Sequence, residues 1–128
     1  MSIAGIFKNW KTIETHPAGT VLFSEEDKAD HLFVILSGQV EISLHGQKLN
    51  IEEVGGVIGE MAVIQSESDN PTASALTEVR LARLDRDEFS QLVTSNREFS
   101  LHAMSVLTNR LRAVNAFISE RLGPGKSL

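Results

Sequence analysis

The sequence predicts a mainly β domain with flanking helices: a jelly-roll-like double-stranded β-helix closed by a long C-terminal helix. Three observations predict it. Between residues 20 and 84, short β-rich runs alternate with polar or glycine-bearing turns, the spacing of sandwiches and barrels. From residue 85 the pattern changes to helical period, with apolar residues recurring every three or four positions. The chain has 128 residues, about one domain's worth, and carries no internal repeat, low-complexity tract or interdomain linker. The expected divisions are an N-terminal helix region at 1–16, the β-roll at 17–84, C-terminal helices at 85–122 and a tail at 123–128.

In chain order, Ser2 is placed to cap an opening helix whose Ile3, Ile6, Phe7 and Trp10 share one face. Trp10 is expected to anchor that helix to the domain. The run His16-Pro17-Ala18-Gly19-Thr20 ends it. Thr20 to Phe23 reads as a strand and Ser24 to Asp30 as an acidic loop. His31 to Leu36 is β-rich and turns at Ser37-Gly38 into Gln39 to Leu44, where Val40, Ile42 and Leu44 alternate with polar residues. His45-Gly46-Gln47 is a turn before Leu49 and Ile51. Gly55, Gly56 and Gly59 punctuate the next stretch, then Met61 to Ile64, a polar loop from Gln65 to Asn70, and strands at Thr72–Thr77 and Val79–Leu84. Gly38, Gly46, Gly55 and Gly59 fall between β runs, where tight turns favour positive φ. Asp85 with Glu88 forms a capping box for a helix to about Val93. Ser95 with Glu98 forms a second box for a helix reaching Leu122, which Gly123-Pro124-Gly125 ends.

Composition narrows the function. Hydrophobic residues make up 41% and charged residues 23%, ordinary for a globular protein. Without cysteine, disulfides and Cys-ligated zinc or iron–sulfur centres are excluded. Nothing resembles a signal peptide, and no apolar run reaches the length of a membrane span, so a cytoplasmic location is expected. A formal net charge of −5 weighs against DNA phosphates as the main partner. His16, His31, His45 and His102 lack metal-ligand spacing, and no nucleophile elbow, P-loop or triad order is present. No enzymatic activity and no cofactor are expected.

Four segments in order carry a resemblance: Ala18-Gly19-Thr20-Val21-Leu22-Phe23, Asp27 to Val40, Val57-Ile58-Gly59-Glu60-Met61, and Leu81 to Phe89. With Leu107-Thr108-Asn109-Arg110-Leu111 in the last helix, the chain resembles the cyclic-nucleotide-binding domain of cAMP-receptor-type bacterial regulators and protein kinase A regulatory subunits. The resemblance implies a ligand cassette running from Gly59, Glu60 and Met61 to Pro71, Thr72, Ala73 and Ser74. In it Glu60 accepts from a ribose 2′-OH, Gly59 permits close backbone approach, and Thr72-Ala73-Ser74 faces the phosphate with amides and hydroxyls. A helix residue near Val114 or Asn115 reaches the purine, often across a dimer.

The pattern also breaks. The arginine that pairs with the cyclic phosphate is replaced by Pro71, and no Lys or Arg occurs between Lys48 and Arg80. Glu26 stands for the usual Gly before the loop aspartate, and Gly56 for the usual Asp after the turn glycine. The reading is a standalone regulatory module that senses a cyclic nucleotide or related ligand and signals to a partner protein, with cAMP or cGMP held weakly. The alternative is an interaction module with a degenerate, non-binding pocket. Met104, Leu107, Leu111, Val114 and Ile118 repeat at spacings of three and four, a two-stranded seam, so a homodimer is expected. With only a short tail after the long helix, sequence-specific DNA binding is not expected.

Overall fold

Period-two alternation decides how the strands stack. The computed structural model describes residues 3–24, 30–60 and 71–122; for residues 114, 117, 121 and 122 it describes the backbone alone. The described elements are α1 (Ile3–Ile6), β1 (Ile13–His16), β2 (Val21–Phe23), β3 (His31–Ser37), β4 (Val40–Leu44), β5 (Gln47–Glu52), β6 (Val57–Ile58), β7 (Thr72–Ala75), β8 (Val79–Asp85), α2 (Arg86–Ser95) and α3 (Arg97–Leu122). They form two antiparallel four-stranded sheets, ordered β1-β8-β3-β6 and β2-β7-β4-β5. This is the jelly-roll architecture expected, with the long helix at its end.

The first sheet is apolar on both faces. Leu32 and Val34 of β3, Val57 of β6, and Ala82 and Leu84 of β8 pack with Phe7, Phe99 and Ala103 from the helical side. Ile35, Ile58, Val79 and Leu81, at alternate positions of the same strands, point the other way, into a core shared with Phe23, Val40, Ile42, Ala73 and Ala75 of the second sheet. The layers are therefore sheet, sheet and helix, with β3 and β8 central to both cores. His45-Gly46 makes the two-residue hairpin between β4 and β5, both residues at positive φ, 51° and 78°.

Two expectations need correction. The N-terminal region is not helical throughout: α1 is one turn, and Ile13–His16 is an edge strand, Ile13 opposite Ala82 and His16 opposite Val79. The β-branched Ile13 and Thr15 suit a strand, and the edge of β8 offers them a ladder. Trp10 nonetheless anchors the segment, donating from Nε1 to the Arg83 carbonyl at 2.9 Å, edge-on to Phe7 at 5.0 Å. The second helix start also differs. Asp85 and Glu88 form the expected reciprocal box, but Ser95 is the last residue of α2, and its hydroxyl donates back to Gln91 O. Asn96 caps α3 instead, its Oδ1 accepting from Phe99 N at 2.9 Å. The Ser2 cap, the acidic-loop residues 25–29, the stretch from 61 to 64, the polar loop at 65–70 and the helix stop at 123–125 lie outside the described residues.

Candidate functional site

The long helix faces the sheets with Phe99, Ala103 and Arg110, spaced by four and seven, and with Val106 between them. An arginine on such a face must find acceptors for its fork of donors, because burying an unpaired charge is costly. Arg110 is 8% exposed and finds three. Its Nη1 donates to Glu60 Oε1 at 2.5 Å, its Nη2 to the Val57 carbonyl at 2.6 Å, and its Nε and Nη2 to Glu52 Oε1 at 3.0 and 2.7 Å. Glu60, 8% exposed, directly follows the Gly59 turn; Glu52 ends β5. Two turns earlier in the direction of the helix N-terminus, His102 Nε2 donates to Gly55 O at 2.6 Å, so the helix is clamped to the β5–β6 turn at two levels.

The two ends of the expected cassette meet at one ring. A Cβ at Gly59 would lie 3.6 Å from Phe23 Cε2 and 3.0 Å from the His31 carbonyl. Phe23 is the register partner of Ala73. Ala73 and Ala75 face the inter-sheet core, which places Thr72 and Ser74, both half-buried, on the opposite face of β7. Pro71 lies just before the strand and is half-buried. Met61 lies outside the described residues. Asn115 follows Leu111 by one turn of α3, whereas Val114 follows Arg110 by one turn.

Sequence reasoning gave Arg110 and Glu52 no role. Arg110 enters only as part of the resembling helix segment, and nothing in the sequence singles out Glu52. The available signal was a lone arginine in register with the buried residues Phe99 and Ala103.

Of the expected seam, Met104 is 57% and Leu111 62% exposed, Leu107 and Ile118 are half-buried, and the Val114 side chain lies outside the described residues. Leu101, one turn before Met104, is 58% exposed and extends the stripe. The helix thus packs on its own domain through the Arg110 face and leaves Leu101, Met104 and Leu111 uncovered. Among the described residues no three His, Cys, Asp or Glu side chains gather as metal ligands, and no helix is long and apolar enough to cross a membrane.

Comparison with known proteins bears on the fold that holds these residues. A family model described as "Cyclic nucleotide-binding domain" matches residues 13–96. The chain is 29% identical over 119 residues to the CRP-like cAMP-activated global transcriptional regulator of Mycobacterium tuberculosis, covering 89% of this chain and 53% of that protein. It is 34% identical over 100 residues to the cGMP-dependent protein kinase egl-4 of Caenorhabditis elegans, covering 78% and 12%. The chain therefore spans about half the length of the first relative and about an eighth of the second. The catabolite activator protein of Thermus thermophilus shares the fold, with a TM-score of 0.71 at 20% identity over 91% of this chain and 57% of that one.

Proposed function

The chain belongs to the cyclic nucleotide-binding domain family, and on that premise we propose a regulatory module without catalytic activity of its own. It takes a cyclic nucleotide or related hydroxyl-bearing ligand at Glu60 and passes the bound state to a partner protein through α3. One observation carries this reading: Arg110 ties the Glu60 carboxylate directly to the helix, so a ligand hydroxyl that draws on Glu60 also acts on the helix's attachment. The net charge of −5 supports a protein partner over DNA.

Affinity for cAMP is expected to be micromolar or weaker, with cGMP no better. A charge-assisted hydrogen bond contributes about 1.5–3 kcal/mol, so lacking the phosphate arginine costs roughly one to two decades. Pro71→Arg is expected to tighten cAMP binding about tenfold or more, since it returns one such interaction. Isothermal titration of parent and variant reads this. Sub-micromolar binding by the parent, or no change in the variant, would place the phosphate elsewhere.

The second reading is a degenerate pocket, favoured by the same contact, because Glu60 is already engaged by Arg110. A thermal-shift panel of nucleotides separates the two, since a ligand that binds only the folded state raises Tm by linkage. In either case the stripe of Leu101, Met104 and Leu111 supports a parallel homodimer through α3, which would bring Asn115 toward the partner. Leu111→Glu places a charge in that seam and is expected to convert a dimer to a monomer in analytical ultracentrifugation. A parent that is monomeric at high micromolar concentration would remove the dimer.

A further inference from the structure

We infer that Glu52 is a specificity-determining residue that sets the ligand site against anions. The inference rests on the reading of Glu60 as the ligand's hydroxyl acceptor. Arg110 is the guanidinium that the fold delivers to Glu60, and Glu52 takes two of its hydrogen bonds through one oxygen. Two carboxylates against one guanidinium leave one formal negative charge. The three side chains are only 10%, 13% and 11% exposed, so solvent and salt screen that charge poorly. The sequence from residue 49 to residue 79 supplies no Lys or Arg to offset it.

The placement of Glu52 depends on its surroundings. A Cβ at Gly56 would meet the Glu53 carbonyl at 3.0 Å, Glu52 Cβ at 3.2 Å and Glu52 Oε2 at 3.3 Å. Any side chain at 56 would therefore press on the carboxylate that holds Arg110. A side chain is missing at 56, and the carboxylate of Glu52 lies against the space it would fill. The two features form one arrangement: Gly56 leaves room, and Glu52 reaches through to neutralise the guanidinium. Arg110 then orients Glu60 without lending the site a net positive charge. A neutral ligand with vicinal hydroxyls, such as a nucleoside, meets no penalty there, whereas a phosphate anion does.

Glu52→Gln isolates the charge, because the amide oxygen still accepts from Arg110. Isothermal titration of cAMP and of adenosine on parent, Glu52→Gln and Pro71→Arg chains tests the inference, with Tm recorded for each. The expected result is roughly tenfold tighter cAMP binding by Glu52→Gln, with adenosine changed less than about twofold. A residue that acted only on structure would shift both ligands together. If both ligands bind and their affinity ratio is unchanged in Glu52→Gln, the inference about Glu52 is wrong and the reading of Glu60 stands. If neither ligand binds any of the three chains at millimolar concentration, both are wrong.

Discussion

Arg110→Met is expected to destabilise the domain by about 3–5 kcal/mol, the usual cost of removing one partner from a buried ion pair. Methionine fills much of the volume but leaves two nearly buried carboxylates, Glu52 and Glu60, facing each other without a counter-charge. It also leaves the Val57 carbonyl without the guanidinium donor. For a domain of this size the loss corresponds to roughly 10–20 °C in Tm. Urea unfolding is expected to show a lower midpoint at unchanged slope, because the surface exposed on unfolding is the same. The chain with Arg110→Met, Glu52→Leu and Glu60→Leu together is expected to recover most of the stability, since replacing a whole buried ion cluster by apolar groups is often neutral. A single Arg110→Met change that cost less than about 1 kcal/mol would mean that the trio is solvated in solution, and the proposed tie between Glu60 and α3 would go with it.

The sheets were legible because their signals are local. Alternation in Val40, Ile42 and Leu44 and the doubly apolar run from Leu32 to Ile35 assign the strands, and the four glycines between β runs do adopt positive φ. The box of Asp85 and Glu88 lies within four residues and was read correctly. The α3 cap falls one residue later than the sequence predicts because Ser95 and Asn96 are both good capping residues. The choice falls to the step between the helices, where Asn96 receives Phe99 N and the buried Phe99 ring packs against Phe7 and Phe89. β1 was missed because Ile13-Glu14-Thr15-His16 is too short to declare itself; its partner β8 lies more than sixty residues away. The trio at the candidate site was invisible for the same reason. Arg110 is 50 residues from Glu60 and 58 from Glu52, and no spacing rule joins residues so far apart. The resemblance supplies Glu60 but not the second carboxylate, Glu52.

Gly38→Ala is expected to cost about 3 kcal/mol or more, and to do so without touching the site. Gly38 makes the turn from β3 to β4 at φ +93°, a region that costs a residue with a side chain on the order of 1–3 kcal/mol. The added Cβ would lie 2.3 Å from the Glu78 carbonyl and 2.8 Å from both Thr77 Oγ1 and Val79 Cγ1. None of these groups yields easily. Val79 is fully buried in the inter-sheet core, Thr77 Oγ1 accepts from Gln39 N, and Leu76 N donates to Gln39 O. Overpacking of this kind adds about 1–3 kcal/mol to the backbone strain. The variant therefore matches Arg110→Met in size and differs in kind, which makes it the control that variant needs. A ligand that binds only the folded state adds the same stabilisation to any chain whose site is intact. Gly38→Ala should retain the full nucleotide-induced rise in Tm from its lowered baseline, while Arg110→Met should lose it. Equal retention in both would show that Arg110 supports the fold alone; loss in both would show that the site depends on global stability and not on the guanidinium.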